Sequence, residues 1–193
     1  MTSSIALTNL LTEIRACQIC DDLPLGPRPI IHASVSAKIL IIGQAPGSRV
    51  HATGIPWNDP SGDRLRTWMN VDRDTFYDDS RVAIMPMGFC YPGKGKSGDL
   101  PPRKICASSW HQSVFEHLPN ITLTLLIGQY AQKYYLGNLF SSLTETVQNF
   151  REIPAPFFPL VHPSPRNQLW LKKNPWFDKN IVPELRQRVS ALL

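Results

Sequence analysis

Four short apolar runs recur along the chain, AKILIIG (37–43), RVAIMPM (81–87), ITLTLLIG (121–128) and FFPLVHP (157–163), and most of them stop at a glycine or a proline. Runs this short and this apolar read as strands buried on both faces, the pattern of a parallel sheet covered by helices. Helical patterns fill the intervals. Ser61 is placed to cap GDRLRTWMN, and PRKICASSWHQSVFEHL sets Ile105, Trp110, Val114 and Leu118 on related faces. QYAQKYYLG stops at a glycine, Ser142 and Glu145 fit a capping box before TVQNF, and Pro183 is tolerable in the first turn of VPELRQRVSALL. Strands alternating with helices predict a three-layer α/β/α sandwich around a central, mainly parallel four-stranded sheet. At 193 residues, of which 42% are hydrophobic, residues 1–193 are expected to form a single domain around one core.

Several classes of function are excluded early. No apolar run approaches the roughly 18–20 residues needed to span a bilayer, and the N-terminus lacks the basic region and apolar block of a secretory signal. A soluble, cytoplasmic monomer with no membrane partner is expected. The net charge of +5 favours an anionic partner, though only slightly.

In sheets of this kind ligands bind beyond the carboxyl ends of the strands, and three segments occupy that place. GQAPGSRVHATGIPWNDPSG (43–62) follows the first strand: Gly43 and Gly47 allow a tight turn, Pro46 stiffens it, and Gln44 offers both a donor and an acceptor. Neither the phosphate-loop order nor the dinucleotide fingerprint is present. Trp57 reads either as a stacking platform for a flat ligand or as a cover for the core. YPGKGKSGDLPP (91–102) is a long loop whose Lys94 and Lys96 either follow a phosphate backbone or are simply solvated. In FFPLVHPSPRNQLW (157–170) Pro163 keeps His162 extended at a strand end and Pro165 stiffens the tip.

The cysteines point to a further site. Cys17 and Cys20 form C-x2-C after the amphipathic IALTNLLTEIRAC, while Cys90 and Cys106 bound a loop far downstream. In a reducing compartment this pattern suits four thiolates around zinc or around a [4Fe–4S] cluster, or else four ordinary buried thiols. Spacing does not choose among them.

Taken in order, these motifs resemble the uracil-DNA glycosylase superfamily, most closely its iron–sulfur branch, family 4. The resemblance rests on Cys17-Gln-Ile-Cys20, on Gly43-Gln44-Ala45-Pro46-Gly47, on Gly54-Ile-Pro56-Trp57 through Gly62, on Cys90 and Cys106 bounding a basic, proline-rich loop, and on His162-Pro163-Ser164. It implies a [4Fe–4S] cluster on Cys17, Cys20, Cys90 and Cys106, with zinc as the alternative. It also implies a DNA partner, uracil-containing, from which a deaminated base is flipped and excised in base excision repair by a monofunctional N-glycosylase. The base pocket would be formed by Gln44, Ala45, Pro46, Gly47, Trp57, Met87 and His162, with His162 donating to the leaving base. Lys94, Lys96, Ser164 and Asn167 would contact the DNA strand, and Arg166 stands where the superfamily often has a leucine wedge.

Two positions depart from the family pattern. The branch's glutamate is replaced by Gln44, which can orient a water but cannot accept its proton; Asp59 is the nearest substitute in sequence, with turn-shaping as its other role. Pro86 stands where the branch has a base-reading asparagine, which shifts recognition toward Gln44 or the backbone around Met87 and Gly88. A catalytically silent iron–sulfur DNA-binding protein is the alternative, and a small-molecule nucleoside hydrolase is a weaker third reading.

Overall fold

A computed structural model describes residues 2–193. Its strands are β1 (Ile39–Ile42), β2 (Val82–Ile84), β3 (Lys94–Gly95), β4 (Gly98–Asp99), β5 (Leu123–Ile127) and β6 (Phe157–Leu160). The four apolar runs of the sequence form one sheet in the order β2-β1-β5-β6, and each neighbouring pair is parallel. Residues of β1, β2 and β5 are buried throughout, as strands covered on both faces must be.

Alternation along the strands divides the apolar residues between two helical layers. Ile39 and Ile41 pack with Leu65, Trp68, Phe177 and Leu185 on one face, while Leu40 and Ile42 pack with Leu7, Leu11, Ile14 and Val114 on the other. The expected α/β sandwich is therefore the observed architecture. Among the described residues no helix is long and apolar enough to cross a membrane.

Connectivity fixes where a ligand can enter. From β1 the chain passes to β2 on one side, then returns across the sheet to β5 on the other. The loops after β1 and β5 consequently diverge and leave a crevice between the carboxyl ends of the two central strands.

Three local readings need correction. The helix after Trp57 spans Pro60–Met69, and its cap is Asp59, whose carboxylate accepts from the Gly62 N–H at 2.8 Å; Ser61 is buried inside the first turn. Proline without an N–H is suited to the first helical position, which leaves the preceding aspartate as the cap. The glycine-rich loop contains a small antiparallel hairpin, with Lys94 opposite Asp99 and Gly95 opposite Gly98. The segment from Lys104 to Glu116 is helical but passes through a π-helical stretch at Ala107–His111. His111 lies buried within that stretch, while Ile105 is exposed.

Candidate active site

A cavity of about 480 Å³ opens at the carboxyl ends of the sheet. Its walls come from every strand end: the Gly43–Gly47 turn after β1, Pro86 after β2, Gln129 and Tyr130 after β5, and His162 with Ser164, Arg166 and Asn167 after β6. Trp57, Asp59 and the hairpin residues Ser97, Gly98 and Asp99 complete it.

Trp57 is held in place by its backbone. Its φ is +56°, an uncommon conformation for a bulky residue that persists only where the surroundings enforce it. The surroundings here are specific. Arg66, buried in the neighbouring helix, donates to the Trp57 carbonyl at 3.3 Å and to the Tyr77 hydroxyl at 3.3 Å, and that hydroxyl donates to the Pro56 carbonyl at 2.9 Å. Asp63 balances the Arg66 charge at 2.5 Å. A Cβ at Gly62 would overlap the Trp57 carbonyl, and one at Gly43 would stand 2.7 Å from Trp57 Cζ2. Both glycines are thus required for the indole to lie against the end of β1.

His162 faces that indole, with ring centroids 5.6 Å apart and planes inclined by 31°. Its Nδ1 accepts from the Ser164 N–H at 3.2 Å, so in the neutral ring the proton sits on Nε2. Burial lowers its pKa below the ordinary histidine value, and the nearby Asp59 charge offsets part of that shift. The side chain is therefore a neutral N–H donor near neutral pH. Asn167 Nδ2 donates to the His162 carbonyl at 2.7 Å, and Gly128, at a φ of +82°, brings the end of β5 into contact with His162. Arg64 ties the same loop down by donating to the Ser164 carbonyl at 3.2 Å.

Gln44, Ala45, Pro46 and Gly47 line this cavity together with Trp57, Asp59, His162, Ser164, Arg166 and Asn167. Met87 does not. It is buried away from the cavity, its N–H donates to the Gly43 carbonyl at 2.9 Å, and the Gly88 N–H donates to the Gln44 carbonyl at 3.0 Å. The backbone donors expected to read the base are consumed in extending the β1–β2 ladder. Pro86 does line the cavity, and its carbonyl accepts from His111 Nε2 at 3.1 Å; Tyr135 O–H donates to the other ring nitrogen at 2.5 Å. Burial drives the His111 pKa down to about 4, which keeps this ring neutral.

Arg166 is exposed but not free. Its Nη1 donates to the Ser97 carbonyl at 2.7 Å, and Gly98 lies under its guanidinium, so the loop after β6 is clasped to the hairpin across the cavity mouth. Lys94 and Lys96 are exposed on that hairpin, outside the cavity wall. Asp99, Gln129, Tyr130 and His111 were not singled out from the sequence as site residues. The GKSG turn was a usable signal for the hairpin, whereas nothing local marks His111 as the residue behind Pro86.

The four cysteines line one small second cavity beside Phe89, Arg103 and Trp110. Burial raises the Cys90 thiol to about 11 and raises Cys106, while at Cys20 the rise from burial is opposed by Arg103. Arg103 pairs with Asp22 at 2.5 Å, joining the C-x2-C segment to the loop before Cys106, and the Phe89 N–H points to Cys106 Sγ at 3.5 Å. Among the described residues, no three His, Cys, Asp or Glu side chains converge to hold one metal ion. The four thiols that line this common cavity are the residues that would hold a metal or cluster.

Comparison with protein-family models gives a match to the uracil DNA glycosylase superfamily over residues 31–186. The match starts after Cys17 and Cys20, so it speaks to the sheet and the cavity rather than to the thiol site. It covers all four strands of the main sheet and every residue named above as lining the cavity. The chain belongs to the uracil-DNA glycosylase superfamily.

Proposed function

We propose that the protein is a monofunctional DNA glycosylase of the iron–sulfur, family 4 type that flips a deaminated base, uracil among them, out of DNA and hydrolyses its N-glycosidic bond. The observation that carries this reading is the pairing of a neutral His162 Nε2–H with the Trp57 indole over one cavity at the switch point of the sheet. A flipped base stacks on the indole, and the imidazole N–H meets the oxygen on which negative charge develops as the base leaves. Removing one such donor typically costs ~3 kcal/mol of transition-state stabilisation. Gln44 orients the attacking water, and Ser164, Asn167 and the hairpin lysines grip the strand on either side.

Cys17, Cys20, Cys90 and Cys106 would hold the [4Fe–4S] cluster. When bound, the cluster supplies a redox centre whose potential is set by its charge, hydrogen bonds and exposure. Iron and sulfide analysis of the purified protein tests this assignment, and stoichiometric zinc would replace it.

Two observations favour the silent DNA-binding alternative: neither Gln44 nor Ala45 carries an acid, and the Arg166–Ser97 clasp spans the mouth. Incubation with single- and double-stranded oligonucleotides containing uracil, hypoxanthine or xanthine, followed by alkali, separates the two. Strand scission that falls at least a hundredfold in His162→Ala supports the glycosylase; intact DNA with retained binding supports the silent protein.

A further inference from the structure

Hydrolysis needs a group that takes a proton from water, and the turn after β1 lacks one: Gln44 cannot accept it and Ala45 has no polar side chain. Two carboxylates line the cavity, Asp59 and Asp99. Asp59 is already engaged. Its Oδ1 caps the helix Pro60–Met69 through the Gly62 N–H, and its charge bears on His162, where added negative charge opposes departure of an anionic base.

Asp99 arrives from elsewhere. It closes the hairpin β3–β4, and its Oδ2 stands 3.6 Å from the point where a Cβ on Gly47 would be, beside the last residue of the turn that lacks an acid. A side chain larger than alanine's at position 47 would cover it. The carboxylate is exposed and forms no ion pair among the described residues; the Tyr91 hydroxyl faces it, raised in pKa first by burial and then by the charge of Asp99 and a hydrogen bond to it. The Arg166 clasp and the Leu100 side chain packed over Gly93 and Gly95 hold the hairpin at this place.

Resting on the glycosylase reading above, we propose that Asp99 is the catalytic base, so that the hairpin restores the acid missing from the turn. In the step, the bond between the sugar C1′ and the base nitrogen breaks and its electron pair leaves with the base, whose charged oxygen takes the His162 N–H hydrogen bond. The water oxygen bonds to C1′ and its proton passes to the Asp99 carboxylate. That proton then returns through solvent to the departed base, leaving an abasic sugar hydroxyl and an ionised Asp99.

The test measures single-turnover excision from a uracil duplex alongside affinity for a duplex carrying non-hydrolysable 2′-fluoro-2′-deoxyuridine. A general base contributes about 10²- to 10⁴-fold, so Asp99→Asn is expected to slow excision by at least about a hundredfold. Its DNA affinity is expected to be unchanged or tighter, because a negative charge has been removed from a site facing a polyanion. Damage to the fold would instead lower both quantities, and Asp99→Glu, which keeps the carboxylate, should recover part of the rate. Excision unchanged in Asp99→Asn, or a loss carried by Asp59→Asn alone, overturns the assignment while leaving the glycosylase intact. A wild-type protein that excises nothing from any of the oligonucleotides overturns the glycosylase reading, and the role of Asp99 with it.

Discussion

Replacing Gly43 by alanine tests whether the indole of Trp57 is part of the working pocket. The added Cβ would stand 2.7 Å from Cζ2 and 3.3 Å from Cη2, whereas carbon atoms pack comfortably at about 3.5–4.0 Å. The ring must therefore move by about 1 Å. Its backbone cannot follow, because the Trp57 carbonyl is bonded to Arg66, the Pro56 carbonyl to Tyr77, and Gly62 lies directly against the peptide. What remains is rotation of the side chain toward the cavity, into the space between it and His162. Overpacking of this kind costs about 1–3 kcal/mol of stability, and a 1 Å misplacement of a positioning surface costs about 10²-fold in rate. Urea denaturation reads the first quantity and single-turnover excision of uracil the second. The double variant Gly43→Ala/Trp57→Phe supplies the control, since a phenyl ring lacks the two clashing atoms; it should recover at least about tenfold, a coupling of about 1.4 kcal/mol. An excision rate that stays at the wild-type level while stability falls would refute the argument, because the indole would then have moved without consequence for the base.

The buried histidine behind Pro86 predicts a pH dependence of folding. Its pKa of about 4 lies below the unfolded value, so the unfolded chain binds the extra proton and stability falls as pH drops from about 6.5 toward about 4. The loss is about 2 kcal/mol between pH 7 and pH 5; urea titrations at the two pH values should show it, and His111→Asn should flatten that slope. Pro86→Asn introduces a side-chain donor and acceptor into the β2 wall and should sharpen the preference for uracil over hypoxanthine by at least about tenfold, read from paired single-turnover rates. Equal ratios before and after the substitution would remove Pro86 from base selection.

The sheet was legible because its strands are short apolar runs whose only stable use is burial on both faces. The order β2-β1-β5-β6 was not, since it is set by how crossovers pack over long sequence separations rather than by any local pattern. Asp59 as a cap could have been read: Pro60 fits the first helical position, and the residue before it must then be the cap. The Gly43–Gly47 turn and the His162 loop meet at one cavity because each immediately follows a strand and all the strands of a parallel sheet end on the same side. Asp99 lies on no such strand end. It reaches the cavity through a hairpin whose docking depends on Arg166 and on the bare Gly98 beneath it, and a contact between two separate loops leaves no trace in either one. His111 escaped for a related reason, because its partners Pro86, Phe89 and Tyr135 lie on other segments and nothing in its own helix marks the contact.

On the glycosylase reading, the β2 wall contributes little to base selection by hydrogen bonding. On the β2 wall the Pro86 side chain has no polar atom, its carbonyl is taken by His111, and the next two N–H groups are bonded to the β1 turn. That wall can exclude by shape but offers no free donor. A wall that only fills space discriminates by about 10- to 200-fold, against 10⁴–10⁵ for one that leaves a buried polar group unpaired when the wrong ligand enters. Recognition then falls to Gln44, whose side-chain amide carries donors and an acceptor and can turn to match either arrangement on the edge of a flat ring. An amide free to turn would accept uracil and hypoxanthine alike, since both present a carbonyl beside a ring N–H, but thymine and guanine present the same pair, and the flipped amide would match cytosine and adenine. Under the glycosylase reading, selection would therefore rest on whatever fixes the orientation of the Gln44 amide and on the size and shape of the cavity.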